Sequence, residues 1–177
     1  MRKALTKSHL AAGKNSKGRV LLKKRFSKLG TVKVPKTIPP LTYSITPASP
    51  TATIAADTVT LGPFQVIASD GVSMPNYLEF CYTVTSGNSS NLQQSTVQYG
   101  TATTYGGAGG TILSYTATNI NAYCYPVAVS TGPTQYFFMR LTGFNSLTYT
   151  VNLTFTVKVE GVSKLVVTGL NLTNVPA

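Results

Sequence analysis

Between positions 149 and 160 apolar and polar residues alternate without a break. Tyr149, Val151, Leu153, Phe155, Val157 and Val159 fall on one side, and Thr150, Asn152, Thr154, Thr156, Lys158 and Glu160 on the other. Successive side chains of a strand point to opposite faces, so this run predicts a long strand with one covered and one wet face. Gly161-Val-Ser163 then turns the chain into another extended run at 164–173. Weaker forms of the same pattern occupy 41–46, 57–68, 77–85, 95–103, 111–118, 122–130 and 134–142. Turn-rich clusters separate many of them: Ser69-Asp-Gly71, Ser86-Gly-Asn-Ser-Ser-Asn91, Gly106-Gly-Ala-Gly-Gly110 and Ser130-Thr-Gly-Pro133. Eight or nine strands with no convincing helix predict an all-β, two-sheet sandwich. No repeat of fixed period runs through the chain.

Composition agrees. Positions 41–177 hold 24 Thr and 14 Val, while Lys and Glu, the usual coat of an exposed helix, are scarce there. The whole chain has 177 residues, a length suited to one domain. Residues 35–50 contain Pro35, Pro39, Pro40, Pro47 and Pro50 and read as a stiff connector. The expected organisation is an arm at 1–36, a connector at 37–50 and the sandwich at 51–177. No apolar run reaches the length of a membrane span, so no membrane partner is expected. Asn88-Ser-Ser, Asn152-Leu-Thr and Asn171-Leu-Thr fit the glycosylation sequon. Without a secretory-type apolar stretch near the N-terminus they are expected to stay unmodified. Cys81 and Cys124 are too few for a disulfide framework and are expected to be free, buried thiols in a reducing compartment.

The inventory for catalysis is poor, and no enzyme activity or cofactor is expected. The single histidine, His9, lies in the arm, away from any nucleophile held in the sandwich. Cys81 and Cys124 stand 43 positions apart with no second ligand beside either, which does not make a zinc site. Asp57 and Asp70 sit near strand ends and read as turn caps rather than metal ligands; Asp70-Gly71 is turn chemistry. Gly106-Gly-Ala-Gly-Gly110 lacks the Gly-Lys-Ser/Thr ending of a phosphate cradle and reads as a loop between strands. Tyr123 and Tyr125, and the cluster Tyr136, Phe137, Phe138 and Met139, read as core or subunit interface rather than base-stacking platforms, since only Arg140 adds charge beside them.

Charge changes the picture most. Twelve of the fifteen Lys and Arg residues lie in the first 36 positions, and none of the four acids does. They are Arg2, Lys3, Lys7, Lys14, Lys17, Arg19, Lys23, Lys24, Arg25, Lys28, Lys33 and Lys36. The remainder sets Arg140, Lys158 and Lys164 against Asp57, Asp70, Glu79 and Glu160, a sum of −1. Such an arm repels itself, is expected to be disordered in isolation and seeks a polyanion. Lys outnumbers Arg nine to three, which suits sequence-tolerant phosphate neutralisation over bidentate base readout. Within it Leu22, Phe26 and Leu29 fall near one side of a helix that could form on contact.

A basic arm at 1–36, a Pro-punctuated connector, and a Thr/Val-rich strand series ending in Gln135-Tyr-Phe-Phe-Met-Arg-Leu-Thr142 and 147–160 together resemble the coat proteins of small icosahedral single-stranded RNA viruses, satellite viruses included. The resemblance spans the chain and rests on architecture rather than on a strict motif. It implies an eight-stranded antiparallel jelly roll forming the shell wall, with the arm turned inward to the genomic RNA. It also implies a homo-oligomer of sixty or more copies in a virion assembled in the host cytoplasm. Sixty +12 arms would carry roughly 700 charges, comparable with the phosphates of a confined strand. That family often binds calcium through Asp pairs between subunits; four acids are too few to carry that feature over. Two other readings accommodate the same arm: a non-assembling β-sandwich module that binds nucleic acid or a ribosome, and an organelle transit peptide, against which the Lys excess argues.

Overall fold

The computed structural model describes residues 38–129 and 135–175. The chain divides into one unit ending at Pro39 and a second running from Pro40. The second is an all-β sandwich of two antiparallel sheets. Its strands are β1 (Tyr43–Thr46), β2 (Ala52–Ala55), β3 (Thr58–Ala68), β4 (Tyr77–Ser86), β5 (Leu92–Gly100), β6 (Gly110–Thr116), β7 (Ala122–Ala128), β8 (Tyr136–Gly143), β9 (Tyr149–Val159) and β10 (Val162–Asn174). A single 3-10 turn at Ser89–Asn91, capped by the Asn88 side chain, is the only helical element among the described residues. One sheet runs β1-β3-β8-β5-β6 with β2 also on β3; the other runs β10-β9-β4-β7.

The alternation along β9 does what it predicts. Tyr149, Val151, Leu153, Phe155, Val157 and Val159 all lie in the core, and their polar neighbours line the outer face. In β3 the alternation changes phase. Val59 and Leu61 point inward, and after the irregularity at Gly62-Pro63 the inward residues are Phe64 and Val66. An extra residue flips every later side chain to the other face. Glycine is required there: Gly62 has φ +130, and a Cβ would lie 2.7 Å from the Phe137 carbonyl oxygen. The same break lets two short strands share one edge, β2 against Thr58–Leu61 and β1 against Gln65–Ala68. The sheets are joined through Phe64 and Phe137 from one and Phe80 from the other, with ring centroids 5.9–6.1 Å apart. Burying such a ring stabilises the fold by about 1.5–3 kcal/mol each.

Three expectations meet the structure here. First, the strand expected at 41–46 forms as β1 (Tyr43–Thr46) inside the stretch also read as connector, and Ile45 is in the core. Second, the wiring differs from an eight-stranded jelly roll. In that nested arrangement the first and last strands lie side by side, whereas here β10 ends the second sheet beside β9 and β3 pairs with β8. The central pairings instead follow the ABED/CFG order of an immunoglobulin-type sandwich. In that scheme β3, β8 and β5 stand as B, E and D, β4, β9 and β10 stand as C, F and G, and β6 and β7 are additional. Tyr149, at the start of β9, packs its hydroxyl beside Gly143. Third, Cys81 and Cys124 are not free thiols; they form a disulfide. They face each other across β4 and β7 on the outer side of the four-stranded sheet. Val84 N–H to Asn121 and Val129 N–H to Asn76 fix the phase of that ladder and make Cys81–Cys124 a non-hydrogen-bonded pair, where side chains approach most closely.

Candidate nucleic-acid interface

The twelve arm residues predicted to bind nucleic acid, Arg2 to Lys36, lie outside the described residues, as does the amphipathic segment at 19–29. What the structure contributes is the placement of the other cations. Lys158 lies opposite Glu79 on β9 and β4, with Nζ 3.7 Å from the carboxylate. Lys164 sits at the irregularity of edge strand β10. Arg140 is on β8 in the other sheet. The three therefore form no common basic patch. From Phe80 to Met139 the chain carries no charged residue at all.

Arg140 is the centre of a cluster that sequence reasoning missed. Its Nε donates to Thr60 Oγ1 at 2.7 Å, and its guanidinium lies 3.6 Å from the centroid of the Tyr105 ring. The Tyr105 hydroxyl bonds Thr96 Oγ1 at 2.6 Å, and its ring meets Phe138 edge-on. Gln98 ties down the same loop, accepting from Gly106 N–H at 2.5 Å and donating to the Thr104 carbonyl at 3.1 Å. The β5–β6 loop thus folds over the outer face of its own sheet and is pinned there. The Gly-rich segment behaves as the connecting loop that its sequence predicts, and Arg140 serves the fold as its clamp. Arg140→Ala removes the cation–π contact and the bond to Thr60, a loss of about 1–3 kcal/mol. We expect a lower urea midpoint and faster proteolysis within 101–109, with Arg140→Lys restoring little because the planar contact is lost; limited proteolysis with mass mapping checks this.

The acids serve turns and strand pairs. Asp70 Oδ1 accepts from Val72 and Ser73 N–H at 3.0 and 2.9 Å, and its other oxygen accepts from the Ser73 hydroxyl. Those bonds, the Ser73 hydroxyl first, hold its carboxyl below the usual range. Asp57 lies in the β2–β3 turn at the opposite end of β3, roughly 30 Å away at the rise of a strand. Glu160 Oε1 accepts from the Asn76 backbone and side-chain N–H groups at 3.0 and 2.9 Å. No three His, Cys, Asp or Glu side chains come together among the described residues.

The aromatics divide between core and rim. Phe137 and Met139 are in the core, and Phe138 lies under Tyr105 outside it. Tyr125 is buried between Tyr82, Tyr115 and Tyr123, with centroids 6.3, 4.0 and 4.5 Å away. The hydroxyls of Tyr82, Tyr125 and Tyr149 are buried without an aligned partner. Burial, before any neighbouring charge, raises the pKa of all three phenols. Because the folded values are raised, the stability these groups contribute is complete below the ordinary phenol range, about pH 10, and is lost as pH rises above it. A urea midpoint that falls between about pH 9 and pH 11, and falls less in Tyr82→Phe, is the expected result.

No family model matches the chain, and neither a curated protein nor a solved structure matches it. No helix among the described residues is long and apolar enough to cross a membrane. Fold and charge define the class: a disulfide-linked, nearly uncharged β-sandwich carrying a polycationic N-terminal segment.

Proposed function

We propose that this chain is a coat-forming protein, whose sandwich associates with copies of itself and whose N-terminal segment binds and packages single-stranded RNA. One observation carries the reading: the partition of charge, +12 within residues 1–36 against −1 in the rest. Among the described residues the cations of the sandwich are dispersed: Lys158 is paired with Glu79, Arg140 is stacked under Tyr105 and Lys164 is the one charge on β10. A body with so few charges suits lateral contacts between identical subunits, since burying charge at an interface is costly. Sixty or more copies in a closed virion shell is the arrangement that the sequence resemblance favours, and a disulfide is compatible with a virion.

The test is a triple substitution. Lys23→Ala, Lys24→Ala and Arg25→Ala together should lower packaged RNA and flatten the salt dependence of RNA binding by about two units. The sandwich should keep its far-ultraviolet spectrum. Unchanged packaging would place the RNA contact elsewhere.

A second reading has one observation in its favour. The immunoglobulin-type strand order differs from the jelly roll of the shell proteins that the sequence resembles. A non-assembling, nucleic-acid-binding sandwich would keep the salt-dependent binding and stay monomeric.

A further inference from the structure

We infer that β6 is a self-pairing seam: the open edge of the six-stranded sheet joins the same edge of a second copy by antiparallel, twofold main-chain pairing. This rests on the self-assembling reading and names its contact.

The sandwich has several open edges, and all but one carry a feature that discourages pairing. β1 and β2 are only four residues each. β10 is broken by two register shifts and carries Lys164. On β7 the ladder phase turns Ala122, Cys124, Pro126 and Ala128 outward, and Pro126 has no N–H to give. Short strands, bulges, lysine and proline are the usual means of blunting an edge. β6 has none of them. It is in unbroken register with β5 from Gly110↔Gly100 to Thr116↔Gln94.

The bonds from Thr101 N–H to Gly109 and from Ala117 N–H to Gln93 set which β6 residues face β5. By alternation Thr111, Leu113 and Tyr115 exchange bonds with β5. Ile112, Ser114 and Thr116 turn N–H and C=O outward, and no described residue pairs with them. The outward set is self-complementary. An antiparallel copy centred on Ser114 places Ile112 opposite the partner's Thr116 and Ser114 opposite its own counterpart. Each such pair exchanges two bonds, about six in all.

Charge selects the occupant. Residues 80–139, which include β5, β6 and β7, are free of charge, so the seam offers a charged peptide no partner. A second copy brings the same neutral strand, with Ile112 (43% exposed) on its outer face. Main-chain addition at a sheet edge is an established mode of recognition.

The experiment uses the full-length, nuclease-treated chain. In the twofold pairing the two Ser114 Cα atoms lie roughly 5.5 Å apart, within disulfide reach. Ser114→Cys should therefore cross-link to a dimer on mild oxidation or with a short bifunctional thiol reagent, and the linked peptide should map to 114–114. Ser163→Cys, on β10, should not. Ile112→Lys with Ser114→Lys should reduce the sedimenting mass at least twofold while leaving the far-ultraviolet spectrum intact, since both side chains are exposed. If the wild-type chain assembles but Ser114→Cys does not link to itself, the seam is wrong and the coat-forming reading stands. Linkage of Ser114→Cys to another protein, or to residues 1–37, also overturns the seam. If the wild-type chain sediments as a single copy, both fall.

Discussion

Removing residues 1–36 should lower affinity for single-stranded RNA by roughly a thousandfold or more at low salt, and any remaining binding should hardly respond to salt. For single strands the slope of log K against log salt is about −0.7 per phosphate neutralised, so twelve engaged cations give a slope near −8. The three cations among the described residues of the sandwich are not expected to replace them. Lys158 is matched by Glu79, Arg140 is stacked under Tyr105 and bonded to Thr60, and Lys164 is one charge on an edge strand. A titration across a salt series, on the full chain and on the truncated one, reads both quantities. Truncated protein that binds as tightly, with the same slope, would put the contact on the sandwich.

Breaking the Cys81–Cys124 bond has the largest expected effect on stability. The bond closes a loop between residues 43 positions apart. Chain entropy alone assigns it about 4 kcal/mol. That corresponds to a fall in melting temperature of roughly 10–15 °C for a body of this size. Cys81→Ala with Cys124→Ala should largely reproduce the effect of reduction, because both residues sit on the outer face of the sheet and outside the core cluster between the sheets. Calorimetry with and without reductant measures it. Equal melting temperatures in the two states would mean that the bond contributes nothing to the fold.

The reach of sequence reasoning follows from what each feature depends on. β9 was legible because its inward residues recur at a strict period of two, a property of the strand alone. β2 was not: of its four residues Ala-Thr-Ile-Ala only Ala52 is even partly buried against the core, and pairing with β3 is chiefly what makes them a strand. In β3 the phase break at Gly62-Pro63 mixes two alternations in one run, which blurs the pattern without hiding the strand. Pairing partners were out of reach. Nothing within 77–85 or 122–130 says that these strands are neighbours, so neither the strand order nor the disulfide could be read from them. The Arg140–Tyr105 contact fails for the same reason, since it depends on a loop from β5 folding across β8. The cationic segment was plain as charge, and its twelve residues lie outside the described part of the structure.

Sedimentation velocity of the intact chain mixed with single-stranded RNA, with protein and nucleic-acid absorbance followed separately, tests most directly whether neutral sandwiches gather around a neutralised phosphate chain. The expected result is one fast boundary containing both components, which dissolves into slow protein and free RNA when residues 1–36 are absent and the salt is moderate. A single slow boundary of one protein copy, with RNA or without it, would contradict the account.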